Sequence, residues 1–354
     1  MRNRIMVVLI LVLGSGWAVC RGQDTADEWD MRVHSVDGAH FYALADVDSV
    51  TFHSRVIRVP AGHFVMGDGA SYCGVDEHEV TLTRDFYLGR HPVTNKQFMK
   101  AVQWAFDNGY VTAAIESVQD NLDGSTERLL SMDHEACEIQ FDASGVFYLR
   151  ESPGSAQSAY PDGYNPADHP VKEVSWYGAV RYCDWLSMQA DLQRAYEHAG
   201  IWTCNGGDPY GAEGYRLPTD AEWEYAAQYD DERISPWGFG PPNCDLANFY
   251  NGSTHCVGWT STVGSYPEAP AGLGLWDMAG NIFEWCNDWW ICDLGPYLVI
   301  DPTGPQTGTH RVARGGSWNT ADTYMRCAWR ENGYPGAGYN HDLMGFRIAR
   351  TVGP

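Results

Sequence analysis

The sequence predicts a single α+β domain, irregular and rich in loops. Three observations carry that expectation. Helix starts are few but sharply marked, short apolar runs read as strands, and turn formers (38 Gly and 18 Pro in 354 residues) are spread along the chain without repeats or low-complexity tracts. A hydrophobic content of 44%, with 13% aromatics, is ample for a packed core.

The elements follow in chain order. Met1-Arg2-Asn3-Arg4, the apolar run Ile5 to Leu13 and the small-residue stretch Gly14 to Cys20 have the charged, apolar and cleavable parts of a secretory signal, assigned to residues 1–20. The run is too short to span a bilayer. Export to the periplasm, the extracellular space or the outer surface is expected, with membrane attachment only if Cys20 is lipidated. Residues 21–55 form an N-terminal segment in which two alternating runs flank Asp37-Gly38, the composition of a tight β-hairpin.

The main domain is assigned to residues 56–354. Phe64 to Met66, Val80 to Thr83 and Phe86 to Leu88 read as strands. Thr94-Asn-Lys-Gln97 is a capping box for a helix carrying Phe98 and Val102. Ser175 caps a helix from Trp176 to Met188, and Thr219-Asp-Ala-Glu222 caps one from Trp223 to Ala227. Trp104 to Glu151, with its Asp-Gly and acidic clusters, reads as an insertion forming a solvated loop. Tryptophans such as Trp176, Trp223, Trp285 and Trp318 stand beside Gly, Ser, Cys or acidic residues, where an indole covers loop backbone.

Charge and cysteine usage narrow the function. With 46 Asp+Glu against 23 Lys+Arg and a formal charge of −23, binding driven by phosphate counterion release is excluded, so no nucleic-acid partner is expected. Ten cysteines without a CxxC or zinc-like spacing point to disulfides in an oxidising compartment. Cys244 with Cys256 and Cys286 with Cys292 are close neighbours that could pair.

A set of phrases then forms a specific combination: Val59-Pro-Ala-Gly-His-Phe-Val-Met-Gly67, Phe86-Tyr-Leu-Gly-Arg-His-Pro-Val-Thr-Asn95 and His169-Pro-Val-Lys-Glu-Val-Ser-Trp176. They continue with Tyr215-Arg-Leu-Pro-Thr-Asp-Ala-Glu-Trp-Glu-Tyr-Ala-Ala227, Gly274-Leu-Trp-Asp-Met-Ala-Gly-Asn-Ile-Phe-Glu-Trp285, Arg314-Gly-Gly-Ser-Trp318 and Gly345-Phe-Arg347. From about Val56 to the C-terminus the chain resembles the formylglycine-generating enzyme, or sulfatase-modifying factor, family. The resemblance implies a loop-rich, C-type-lectin-like fold. It also implies oxidation of a sulfatase cysteine with oxygen and copper(I), held by two cysteines just after Gly-Gly-Ser.

Copper(I) demands soft thiolates. Here Thr320 stands where the family's first active cysteine falls, and no second cysteine precedes Cys327. Copper is therefore not expected, and the flanks of Cys327 match a family disulfide cysteine. By the same resemblance, the family partner of Cys183 falls at Ile348 and that of Cys327 at Ala227. Both cysteines are left to pair with each other or elsewhere.

The calcium phrase is better kept. The resemblance implies structural Ca²⁺ held by side-chain oxygens of Asp277 and Glu284 and the carbonyls of Gly280 and Ile282. A second site would begin at Asn248 and Phe249, without its later Asp. Hard Ca²⁺ takes several oxygens at roughly 2.3–2.6 Å, which such a turn can offer.

The expected function is an exported, calcium-stabilised binding or maturation module without oxidase activity, its former groove taking a peptide, protein or glycan. Two alternatives stay open. One is an active formylglycine-generating oxidase using Cys327. The other is a periplasmic maturation enzyme of altered chemistry, lined by Ser317, Trp318, Thr320, Arg330, His341 and Asp342.

Overall fold

Capping chemistry sets the helices. Thr94 accepts the Gln97 N–H while the Gln97 side chain accepts the Thr94 N–H, which opens α1 (Asn95–Asp107). Ser175 accepts from Gly178 N to open α2 (Trp176–Gln189), and a second capping box, Thr219 with Glu222, opens α3 (Asp220–Gln228). These are the three starts read from the sequence. The computed structural model describes residues 30–35, 47–53, 56–69, 77–151, 154–161, 163–229, 231–295, 298–331 and 341–353. The signal segment, Cys20, Cys73 and the Asp37-Gly38 turn lie outside them.

The chain divides into two units, Met1–Arg55 and Val56–Pro354. In the first, β1 (Asp30–Ser35) pairs antiparallel with β2 (Val47–His53), Asp30 opposite His53 and Ser35 opposite Val47. The β2 run, Val-Asp-Ser-Val-Thr-Phe-His, is long and β-branched enough to match β1, and the expected hairpin about Asp37-Gly38 lies outside the described residues.

The second unit contains the remaining strands: β3 (Val56–Val59), β4 (Gly62–Met66), β5 (His78–Leu82), β6 (Phe86–Gly89), β7 (Val111–Ala114), β8 (Ser117–Asp120), β9 (Arg128–Ser131), β10 (Ile139–Phe141), β11 (Phe147–Leu149), β12 (Tyr196–His198) and β13 (Trp202–Cys204). Near the C-terminus follow β14 (Phe283–Trp289), β15 (Val299–Ile300), β16 (Arg311–Arg314), β17 (Met344–Gly345) and β18 (Ala349–Thr351). They form small sheets rather than one large one: β15-β5-β4, β18-β6-β3, β16-β14-β17 and β7-β8-β9, with β10-β11 and β12-β13 as hairpins. Long stretches between them have no regular structure, which is the loop-rich α+β architecture.

The insertion departs from expectation. It is not a solvated loop: it folds as β7-β8-β9 and β10-β11, with Val118, Leu129, Leu130 and Ile139 wholly buried. Its alternation buries one face against α1 and α2, and that apolar contact offsets the cost of ordering it. The tryptophans behave as read. Trp176, Trp185, Trp223 and Trp285 are among the largest fully buried side chains.

Candidate functional site

The site is built on the strand pair β14 and β16. Glu284 faces Arg314 across that pair, and Phe283 and Glu284 face Met344 and Gly345 of β17. Beyond Arg314 the chain turns sharply through Gly315 and Gly316, both at positive φ. At Gly316 the φ of +74° and the approach of a Cβ to the Tyr324 carbonyl at 3.1 Å favour glycine.

That turn delivers Ser317, Trp318 and Thr320. The Thr320 hydroxyl accepts from Ser317 N at 2.8 Å and donates to Ser317 O at 3.1 Å, closing a small ring of backbone. Thr320 O accepts from Tyr250 N, and Trp318 N donates to Asn281 O. The Trp318 ring lies 5.4 Å from that of Trp259 and 5.7 Å from His255, whose Nε2 is 2.6 Å from Asn319 Oδ1. Trp318 Nε1 is buried and has no hydrogen-bond partner. An aromatic wall with an unpaired donor thus flanks Thr320.

Cys327 and Arg330 are not part of this wall. Cys327 is 1% exposed in the cluster around Val59, Phe86 and Trp223, and burial pushes its thiol well above the ordinary range. Arg330 donates to Asp220 Oδ2 and to Ile291 O, beside Arg314, which binds Asp220 and Glu224. These arginines neutralise buried carboxylates, so Arg330 is held by the fold. His341 and Asp342 approach the wall only through Lys172, which feels the Asp342 charge and packs on the Trp259 ring. They contact each other at 2.7 Å, and His341 O accepts from Glu173 N.

Among the described residues, no cysteine presents an exposed thiol. Cys244 and Cys256 form the expected disulfide. Cys286 does not pair with Cys292: Cys286 is free and buried within β14, while Cys292 is disulfide-bonded elsewhere. Nor do Cys183 and Cys327 pair. Both are free and buried, as are Cys137 and Cys204. Desolvation raises all five thiols, Cys137 and Cys204 to about 12.

The Asp277–Glu284 loop holds three positive-φ residues, Asp277, Gly280 and Asn281. It is pinned by Gly280 N to Gly315 O and Asn281 N to Asn248 O, and by Asn281 Oδ1 accepting from Ser261 N. Asp277 is 5% exposed: its Oδ2 accepts from Gly264 N at 2.6 Å, and its Oδ1 has no partner. Burial raises its carboxyl to about 6. Asn248 Nδ2 donates to Trp259 O, while Asn248 Oδ1 is likewise buried and unpaired. Each is an acceptor oxygen lacking a donor, of the kind a hard cation takes.

Glu284 is different. Its two oxygens take Arg347 Nε and Nη2, each at 2.6 Å, and Trp223 Nε1 at 2.7 Å. It is neutralised by the protein itself. Ile282 and Phe249 are buried side chains whose carbonyls are the atoms concerned, and Phe249 O accepts from Cys256 N. Among the described residues, no cluster of three or more His, Cys, Asp or Glu side chains is arranged to hold a metal. Sequence reasoning missed Arg347 as the partner of Glu284, although Gly345-Phe-Arg347 was in view, because pairing across 63 residues is not written in local spacing.

Comparison with known proteins gives the family and the fold. The model of the sulfatase-modifying factor enzyme 1-like domain matches residues 43–352. The chain belongs to the sulfatase-modifying factor family. It is 30% identical over 318 residues to the formylglycine-generating enzyme of Bos taurus, covering 84% of this chain and 74% of that enzyme. With the formylglycine-generating enzyme of Thermomonospora curvata identity is 31%, covering 83% and 92%. The serine/threonine-protein kinase Pkn1 of Chlamydia trachomatis is 30% identical over 303 residues, and this chain spans 38% of that kinase's length. Among solved structures, Treponema denticola variable protein 1 superposes with a TM-score of 0.57 at 22% identity, over 88% of this chain and 98% of that one. PvdO from Pseudomonas aeruginosa gives 0.53 at 20%, over 84% and 94%. These two share the fold.

Proposed function

We propose that this sulfatase-modifying factor protein does not oxidise cysteine to formylglycine and serves as an exported binding or maturation module. Its ligand, a peptide, protein or glycan, is received along the wall formed by Trp318, Thr320, His255 and Asn319. One observation carries the reading. Where copper(I) needs the first of two thiolates, the chain has Thr320, its hydroxyl engaged with the Ser317 backbone. The nearest cysteine in sequence, Cys327, is buried in a different cluster with its thiol held protonated.

Calcium belongs to this reading as a structural ion. Asp277, through its unpaired oxygen, holds it together with the Gly280 and Ile282 carbonyls, while Asn248 and the Phe249 carbonyl begin a separate second site that lacks its later Asp. Bound there, the cation offsets a buried carboxylate and holds loops in place. Glu284 supports the loop through Arg347. The fold hosts many functions, so the ligand must come from the site and not from the fold.

The test uses the purified full chain. Copper(I) is titrated against a chromogenic chelator, and a Cys-x-Pro-x-Arg peptide is incubated with copper and oxygen and followed by mass spectrometry. No tight copper and no aldehyde product are expected. Stoichiometric copper with formation of formylglycine would overturn the reading, and its loss in Cys327→Ala would identify the thiol responsible.

A further inference from the structure

The insertion meets the core at a pair of groups that the site does not use. Lys172, in the phrase before α2, is completely buried, and its Nζ has no hydrogen-bond partner. It lies 3.5 Å from the centroid of the Trp259 ring and 3.6 Å from Oε1 of Glu138, which leads into β10. Glu138 is 2% exposed; its Oε1 accepts from Tyr164 Oη at 2.9 Å, and its Oε2 has no partner. Trp259 Nε1 in turn donates to Tyr164 Oη at 3.2 Å.

As an ion pair this arrangement is poor. A buried pair holds its charges only when the remaining lone pairs and protons are also satisfied. Here the ammonium donates no hydrogen bond and one carboxylate oxygen accepts none. Burial drives the Lys172 amine down to about 8 and the Glu138 carboxyl up, toward an amine beside a carboxylic acid.

We propose that Lys172 and Glu138 condense into an intramolecular amide that staples the insertion to the core. The Lys172 Nζ lone pair attacks Glu138 Cδ. The Cδ–Oε2 bond breaks, and Oε2 leaves as water with the carboxyl proton and one proton from the amine. No oxidant or co-reactant enters. Tyr164 Oη–H is aimed at Oε1, where negative charge develops in the tetrahedral intermediate, and Trp259 Nε1–H orients that hydroxyl. The aromatic enclosure excludes the water that would reverse the step, and the fold supplies the proximity. Since Trp259 also backs Trp318, the staple fixes the rear of the aromatic wall.

The full chain is purified, unfolded, digested with chymotrypsin and analysed by tandem mass spectrometry. Expected is a branched peptide joining the segments that contain Glu138 and Lys172, lighter by one water than the two together. It should be absent in Lys172→Arg and depleted in Tyr164→Phe. Recovery of both segments unlinked from folded wild-type protein overturns the proposal, whether or not Lys172→Arg folds. A wild-type extent of linkage in Tyr164→Phe overturns the role of the hydroxyl. Either result leaves the reading of the Thr320 wall untouched.

Discussion

Arg347→Met tests the electrostatic centre of the site loop. The Arg347 and Glu284 side chains are 0% and 1% exposed, and the guanidinium donates to both Glu284 oxygens. It also donates to the carbonyls of Gly89 at 2.9 Å and of Trp276 and Asp277 at 3.1 Å each. Methionine keeps most of the volume and removes all of these donors, leaving the Glu284 carboxylate buried with only Trp223 Nε1. Removing one partner of a buried pair costs about 3–5 kcal/mol. At roughly 2–4 °C per kcal/mol for a large domain, that is a fall in Tm of about 10 °C. Urea and thermal unfolding of wild type, Arg347→Met, Glu284→Gln and the double variant, each with calcium and with chelator, form the assay. Removing the stranded charge in the double variant should restore about 2 kcal/mol as a coupling between contacting residues. A loss below about 1 kcal/mol in chelator, or no recovery in the double variant, would refute the argument that Arg347 neutralises Glu284.

Two further outcomes follow from the same reasoning. His169 is buried against Tyr160, Tyr164 and Thr260, and desolvation above all lowers its pKa from 6.5 to about 4. The folded state keeps it neutral while the unfolded chain takes up a proton, so its contribution is whole above pH 6.5 and is lost as pH falls toward 4, by about 3 kcal/mol. Urea midpoints at pH 7 and 4.5 should separate less in His169→Gln, and an unchanged separation would count against it. Gly280→Ala faces both a φ of +74° and an approach of 2.5 Å to Asn248 O, whereas Gly109→Ala, at +75°, has open space. Strain alone costs roughly 1–3 kcal/mol, so Gly280→Ala should exceed Gly109→Ala in urea unfolding. Equal losses would show that the loop yields.

Sequence alone determined what is local. Thr94-x-x-Gln97 and Thr219-x-x-Glu222 state their helix starts in four residues, because a cap needs only a side-chain oxygen and the first-turn N–H groups. The absence of a thiol at Thr320 is equally local, whereas the Cys244–Cys256 bridge was one candidate among several, and only the structure separated it from Cys286 with Cys292. What the tertiary structure decided are the pairings across sequence distance. Arg347 meets Glu284, Lys172 meets Glu138, the partner of β1 is Val47–His53, Cys286 and Cys292 stay apart, and the insertion is core rather than loop. Each depends on which apolar faces bury against one another. Burial is non-directional and set by the whole chain, and it alone turns a carboxylate, an amine or a thiol from a solvated surface group into one that must find a partner or give up its charge.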